Sequence, residues 1–130
     1  MSVPEFFNPA TVHPPLGLYS HGGLVKAGSD ILYVAGQVGT NPDGTLPSSI
    51  AEQADQAFKN VIGVLEEKGM TASNIVKLNL YAVGGQPGME EVRAARKRHM
   101  GDHRPTSTFV FVAALVEPKY LIEIEAVAAK

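Results

Sequence analysis

The sequence contains no cysteine, which rules out disulfides, thiolate nucleophiles and cysteine-ligated metals together. It has no apolar run near the roughly 20 residues that a membrane-spanning helix requires, so no bilayer crossing is expected. Nor is there an excess of positive charge. Eleven Lys and Arg stand against 13 Asp and Glu, a formal net charge of -2 at pH 7, the opposite of what a protein gripping nucleic acid through phosphates needs. The opening MSVPEFFNPATVHPP lacks a basic segment followed by an apolar one, so no secretory signal is expected and the expected location is cytoplasmic. What is there is 130 residues with 45% hydrophobic content, the profile of one soluble globular domain with no second core.

Residues 1–23 are rich in Pro, Gly and His and are expected to run as an irregular arm carrying Tyr19. Val25-Lys26-Ala27 and the run from Ile31 to Val38 read as two strands around the tight turn Gly28-Ser29-Asp30. Gly36 interrupts the second, marking either a bulge with a close approach to the backbone or a simple twist. Ser49 opens a helix, because Ser49-Ile50-Ala51-Glu52 fits a capping box and Ile50, Ala54, Ala57, Phe58, Val61 and Leu65 recur at helical spacing. Gly69 supplies its stop. Ile75 to Val83 alternates as a strand, and Gly84-Gly85-Gln86-Pro87-Gly88 follows as a loop. A second helix is expected from about Met89 to Met100, with Arg93, Arg96, Lys97 and Arg98 as a solvated basic face.

The last quarter, from Arg104 to Ala128, holds two β-rich runs joined at the turn-forming pair Glu117-Pro118. In its second run Leu121, Glu123, Glu125 and Val127 share one side, and Ile122, Ile124 and Ala126 the other. The apolar side belongs under helices. The predicted order is strand, strand, helix, strand, helix, strand, strand, an α+β mixed sheet with both helices on one face. Its uncovered face would expose Tyr33, Ala35, Phe109, Phe111, Leu121 and Val127, a patch that implies association with other copies.

The succession Pro15-Leu16-Gly17-Leu18-Tyr19-Ser20, Val34-Ala35-Gly36-Gln37-Val38, Glu52-Gln53, Asn74-Ile75-Val76-Lys77 and Leu121-Ile122-Glu123-Ile124-Glu125-Ala126-Val127-Ala128 resembles the RidA (YjgF, reactive-intermediate deaminase) family, also known as L-PSP endoribonucleases. The resemblance spans nearly the whole chain. It implies a chorismate-mutase-like α+β fold assembled as a homotrimer, with the sheets forming a central barrel, the helices outside and a small-metabolite cleft between each pair of subunits. It further implies hydrolysis of enamines and imines such as 2-aminoacrylate to a keto acid and ammonia, without metal or organic cofactor.

Such a site needs a cation for the substrate carboxylate, best supplied by the fork of an arginine, and an acid or base to handle water and the leaving nitrogen. In the active type of the family the arginine stands in a Pro-Ala-Arg-Ser-Cys motif. The matching stretch here is Pro105-Thr106-Ser107-Thr108-Phe109, so Ser107 takes the arginine's place and Phe109 the cysteine's. The carboxylate clamp is therefore expected to be missing, and little deamination of 2-aminoacrylate is expected. Among residues that match the family's cleft, Glu123 is the catalytic candidate, and Tyr19, Gly36 and Gln86 are ligand contacts. Arg104, just before the strand, is the nearby cation considered as a substitute. From the residues alone, Glu123 and Glu125 read as solvated or paired at a subunit interface; the resemblance favours a cleft role for Glu123 only.

His99 and His103 have a metal-chelating spacing, but Gly101 between them ends the helix and no third ligand is evident, so no metal site is expected. Ser20, Ser107 and Thr108 have no histidine and acid placed beside them as a nucleophilic apparatus. Two functions stay open: an imine or enamine hydrolase with a substrate other than 2-aminoacrylate, and a non-catalytic metabolite-binding trimer. An endoribonuclease ranks third, since no basic strand-binding groove is visible.

Overall fold

A computed structural model of the chain describes residues 4–130; residues 1–3 of the expected arm lie outside the described residues. The strands are β1 (Glu5–Phe7), β2 (Gly22–Leu24), β3 (Ile31–Val38), β4 (Ile75–Ala82), β5 (Thr106–Phe111) and β6 (Ile122–Ala129), and the helices are α1 (Ile50–Glu67) and α2 (Met89–Met100). The expected α+β architecture is present.

Local chemistry sets the helix ends. The Ser49 hydroxyl accepts from the Glu52 amide at 3.2 Å and donates to the Glu52 carboxylate at 2.9 Å, satisfying an end that would otherwise fray. At the far end Gly69 has φ +70, and the amides of Gly69 and Met70 donate back to the carbonyls of Glu66 and Leu65. That pairing across a left-handed glycine is how the Schellman motif closes a helix. The inward stripe of α1, Ala54, Ala57, Phe58, Val61 and Leu65, is buried and packs in one core with Val34, Leu78, Leu80, Ile122 and Ile124.

The main sheet has the order β3-β6-β4-β5, with β4 and β5 parallel and the other pairs antiparallel. Parallel neighbours cannot be joined by a hairpin, and α2 provides the crossover between them. The two runs flanking Glu117-Pro118 are not sheet neighbours; β6 instead enters the middle of the sheet. Along β6, Ile122, Ile124, Ala126 and Ala128 are buried while Glu123, Glu125 and Val127 are half-buried, so the alternation read from sequence holds and one face is free of helices.

Three expectations are corrected. The strand near Val25 is Gly22–Leu24, and it pairs with Glu5–Phe7 rather than with β3. The reason lies in the glycines: the Phe7 ring covers Gly22, where a Cβ would come within 2.4 Å of it, and Phe6 lies against Gly23. The arm is therefore only partly irregular. Second, Phe109 and Phe111 are not on the open face. The parallel register sets Phe109 beside Leu80 and Phe111 beside Ala82, and laterally paired residues point the same way, here toward the helices. Third, the open face is no continuous apolar patch. Tyr33 is 77% exposed there, but Lys77, Asn79, Tyr81, Glu123, Glu125 and Thr108 share that side.

Gly36 marks a bulge. Val34 pairs with Ala126 and Gln37 with Ile124, so Ala35 and Gly36 together oppose the single residue Glu125.

Candidate functional site

The cleft is built where the arm, α2 and β5 meet. The arm is fastened to the start of β5 by two bonds: the Ser20 hydroxyl donates to the Arg104 carbonyl at 2.5 Å and the Ser20 amide to the Pro105 carbonyl at 3.0 Å. Tyr19, half-buried, accepts from the Leu16 amide at 3.1 Å through its hydroxyl and sets its ring edge-on to His21. The result is a cavity of about 390 Å³ into which Tyr19, Arg96 and Ser107 project beside Leu80, Val92 and Phe109. It is mostly apolar with a few convergent polar groups, the usual make-up of a small-molecule site. A broader depression of about 770 Å³ lies between α1 and β3, but no buried charge faces it.

Arg96 was read from sequence as part of a solvated face. Only 9% of it is exposed. It shares the inward side of α2 with Val92, Ala95 and Met100. Its guanidinium donates to the Ser107 hydroxyl at 3.2 Å and also to the Leu18 carbonyl. Burial, reinforced by the charge of nearby Arg104, pulls its pKa down to about 10, so it stays charged at neutral pH. Among the described residues no carboxylate lies within ion-pair distance of it. The signal was available: Met89, Val92, Arg96 and Met100 fall at i, i+3, i+7 and i+11, one stripe of a helix.

The cation that reaches this place is not the one considered from the sequence. Position 107 carries no arginine, yet a guanidinium reaches its side chain from α2. Arg104 is not that cation, since its side chain is exposed and does not line the cavity. Gln86 sits in a short turn before α2, exposed and away from the cavity.

Glu123 and Gly36 come together on the opposite side of the sheet. A Cβ at position 36 would lie 1.9 Å from Glu123 Oε2, so the glycine makes room for that carboxylate. The two glutamates of β6 differ. Glu125 accepts from Asn79 Nδ2 at 3.1 Å and from the Tyr81 hydroxyl at 2.7 Å, a pairing that holds the Tyr81 pKa above its ordinary value. Among the described residues no side chain donates to Glu123. One copy of the chain therefore joins Tyr19, Ser107 and Phe109 in one cleft and sets Glu123 with Gly36 behind the sheet.

His99 and His103, the pair with metal-chelating spacing, each have a protein partner. His99 Nε2 lies 2.7 Å from Asp55 Oδ1, and His103 Nε2 lies 2.9 Å from the Ile75 carbonyl.

Comparison with known proteins places this architecture. The model of the family described as Endoribonuclease L-PSP matches residues 11–130. The protein MMF1, mitochondrial, of Saccharomyces cerevisiae is 32% identical over 102 residues, 78% of this chain and 69% of that protein. The 2-iminobutanoate/2-iminopropanoate deaminase of Rattus norvegicus is 32% identical over 115 residues, 87% of this chain and 80% of the relative. Among solved structures, a protein of unknown function of the conserved Rid family, YyfB from Yersinia pestis, superposes with a TM-score of 0.86 at 30% identity, covering 99% of this chain and all of the other. With the family model spanning all but the first ten residues and the fold matched end to end, the chain belongs to the Endoribonuclease L-PSP family, that of the RidA and YjgF proteins.

Proposed function

We propose that this protein is a cofactor-free hydrolase of imines or enamines derived from amino acids, working in clefts between the subunits of a homotrimer. The name of the rat relative supports the reaction class. The observation that carries the reading is the division between the two β6 glutamates: Glu125 is held by Asn79 and Tyr81, whereas Glu123 is kept clear by Gly36 with its carboxylate free. A carboxylate spared from structural bonding is available to move protons. Because the sheet separates it from the cavity of its own chain, a complete site needs Glu123 from a neighbouring copy, and this ties catalysis to assembly.

The chemistry asks little. Water oxygen bonds to the imine carbon as Glu123 takes one of its protons and returns it to nitrogen, giving a carbinolamine; the carboxylate then moves the remaining hydroxyl proton to the amino nitrogen as the carbon–oxygen double bond forms and the carbon–nitrogen bond breaks, so that ammonia leaves with the keto acid. An enamine first takes a proton on carbon to become the imine. Leu80, Val92 and Phe109 in the cavity suit substrates with apolar side chains larger than that of 2-aminoacrylate.

The test generates imines in place from leucine or methionine with an amino-acid oxidase and follows keto-acid and ammonia formation. The wild type should outpace the uncatalysed reaction, and Glu123→Gln should lose roughly a hundredfold or more. A wild-type rate no greater than the protein-free rate sinks the hydrolase and leaves the metabolite-binding trimer, which the absence of an arginine at position 107 favours.

A further inference from the structure

Buried cations in proteins are normally neutralised, because an isolated charge removed from water is costly. The other basic side chains of α2 obey this. Arg93 pairs with Glu90 at 3.0 Å, Lys97 with Asp102 at 3.0 Å and Arg98 with Asp55 at 3.3 Å, and all three are more than half exposed. Arg96, the one that is buried, has only a hydroxyl and a backbone carbonyl as partners among the described residues. Both are neutral acceptors, two bonds for a group with five N–H donors. Arg96 itself lines the cavity, where its remaining donors can meet a ligand. Arg93 also lines that cavity and Arg104 lies close enough to depress the Arg96 pKa. Arg93 is answered by Glu90, but among the described residues no carboxylate pairs with Arg96.

We infer that Arg96, delivered from α2, is the anion-binding residue of this cleft. Its guanidinium takes the carboxylate of a small acid whose apolar portion lies against Leu80, Val92 and Phe109, and Ser107 is a positioning residue that holds the guanidinium toward the cavity. The fork of an arginine matches two carboxylate oxygens. One buried guanidinium in an apolar cavity suits a singly charged carboxylate better than a doubly charged phosphate. This deepens the function proposed above and rests on that cleft being the ligand cleft. It differs from the family motif, in which the arginine comes from the strand; here the same charge would be supplied by the neighbouring helix while the strand keeps only a hydroxyl.

Binding is measured by calorimetry with the keto acid of leucine, its neutral amide and inorganic phosphate, on the intact assembled protein. The wild type should bind the keto acid and discriminate against both other probes. Arg96→Gln should weaken keto-acid binding by roughly ten- to a hundredfold, and Arg96→Lys should fall between, keeping the charge but losing the fork. The decisive variant relocates the group: Arg96→Gln combined with Ser107→Arg should recover most of the lost affinity. Ser107→Ala should weaken the keto acid several-fold while leaving binding of the neutral amide unchanged. If Arg96→Gln does not fold, Arg96→Lys and the relocated pair decide, since both keep a guanidinium or ammonium in place.

Keto-acid affinity unchanged in Arg96→Gln, or equal binding of acid and amide by the wild type, overturns the inference and reduces Arg96 to a staple between Leu18 and β5. Tighter binding of phosphate than of keto acid overturns the carboxylate assignment. Carboxylate binding that depends on Arg96, without ammonia release from any imine, sinks the hydrolase and leaves the clamp. Ammonia release with an unchanged KM in Arg96→Gln does the reverse.

Discussion

The two faces of α2 carry the same chemistry to opposite ends. Outward, Asp55 gathers Lys59 at 3.3 Å, Arg98 at 3.3 Å and His99 at 2.7 Å around one carboxylate, and Arg93 and Lys97 each have an acid of their own. Inward, Arg96 has none among the described residues. Glu123 and Glu125 on β6 repeat the contrast with the sign reversed: one carboxylate is tied by two donors and the other is left over. Charges that a fold needs for itself are matched within it, and charges that remain unmatched in half-buried or buried positions mark where something from outside is to be met.

The contrast can be broken from either side. The largest effect is expected where an unmatched charge is moved without touching a matched one. Gly36→Ala places a methyl where the Glu123 carboxylate now sits, and the side chain must swing away. Turnover should fall roughly tenfold or more, as for other misplacements of a proton-transfer group, while the urea midpoint stays within the narrow range typical of surface changes. A variant with full turnover would mean that the position of Glu123 does not matter.

Asp55→Asn tests the matched side. The His99 ring nitrogen foremost, then Lys59 and Arg98, hold the Asp55 carboxyl below its ordinary pKa. Its folded value is depressed, so its contribution is complete above the unfolded carboxylate pKa, near 4, and is lost as pH falls through the folded value. At neutral pH the substitution should cost about 1 kcal/mol, since Lys59 and Arg98 are more than half exposed and only His99 is shielded from solvent. The difference between variant and wild type should vanish in strong acid. Denaturant unfolding measures both, and keto-acid binding should not change; a loss of binding would place Asp55 in the ligand's circuit.

The smallest effect concerns His103, half-buried and neutral at pH 7. Burial lowers its pKa, against the pull of the Ile75 carbonyl, and the charge of Arg96 adds to the depression. Below the unfolded value of about 6.5 the unfolded chain binds the proton that the native one refuses. Stability should therefore decline as pH falls from about 7 toward 5, and His103→Gln should flatten that slope in denaturation curves recorded across the window. An equally steep slope in the variant assigns it to another group.

Much of this was legible in the residues. The N-cap at Ser49, the stripe of α1 and the alternation of β6 are local patterns, and each appears in the structure, although the Glu52 carboxylate takes the Ser49 hydroxyl where a full capping box would have it take the Ser49 amide. Position 107 drew attention for the right reason, because a hydroxyl there leaves a carboxylate unanswered. What escaped depends on partners distant in sequence. That β5 runs parallel to β4 turns Phe109 and Phe111 toward the helices, and no local pattern announces which strand a run will join. Gly22 and Gly23 looked like loop residues because the rings that use their bareness, Phe6 and Phe7, stand some fifteen positions earlier. Arg96 is hidden for a different reason: it stands among Arg93, Lys97 and Arg98, whose common charge suggests a solvated face, and only its helical phase, shared with Val92 and Met100, sets it apart.

The place of β6 in the sheet has a consequence for the birth of the molecule. It fills the gap between β3 and β4, both of which are synthesised before it. Until then two strand edges stand open side by side in the nascent protein, the condition under which chains stick to one another. Mutations that slow the insertion of this late strand should lower the yield of native protein in cells by more than their effect on the finished fold accounts for.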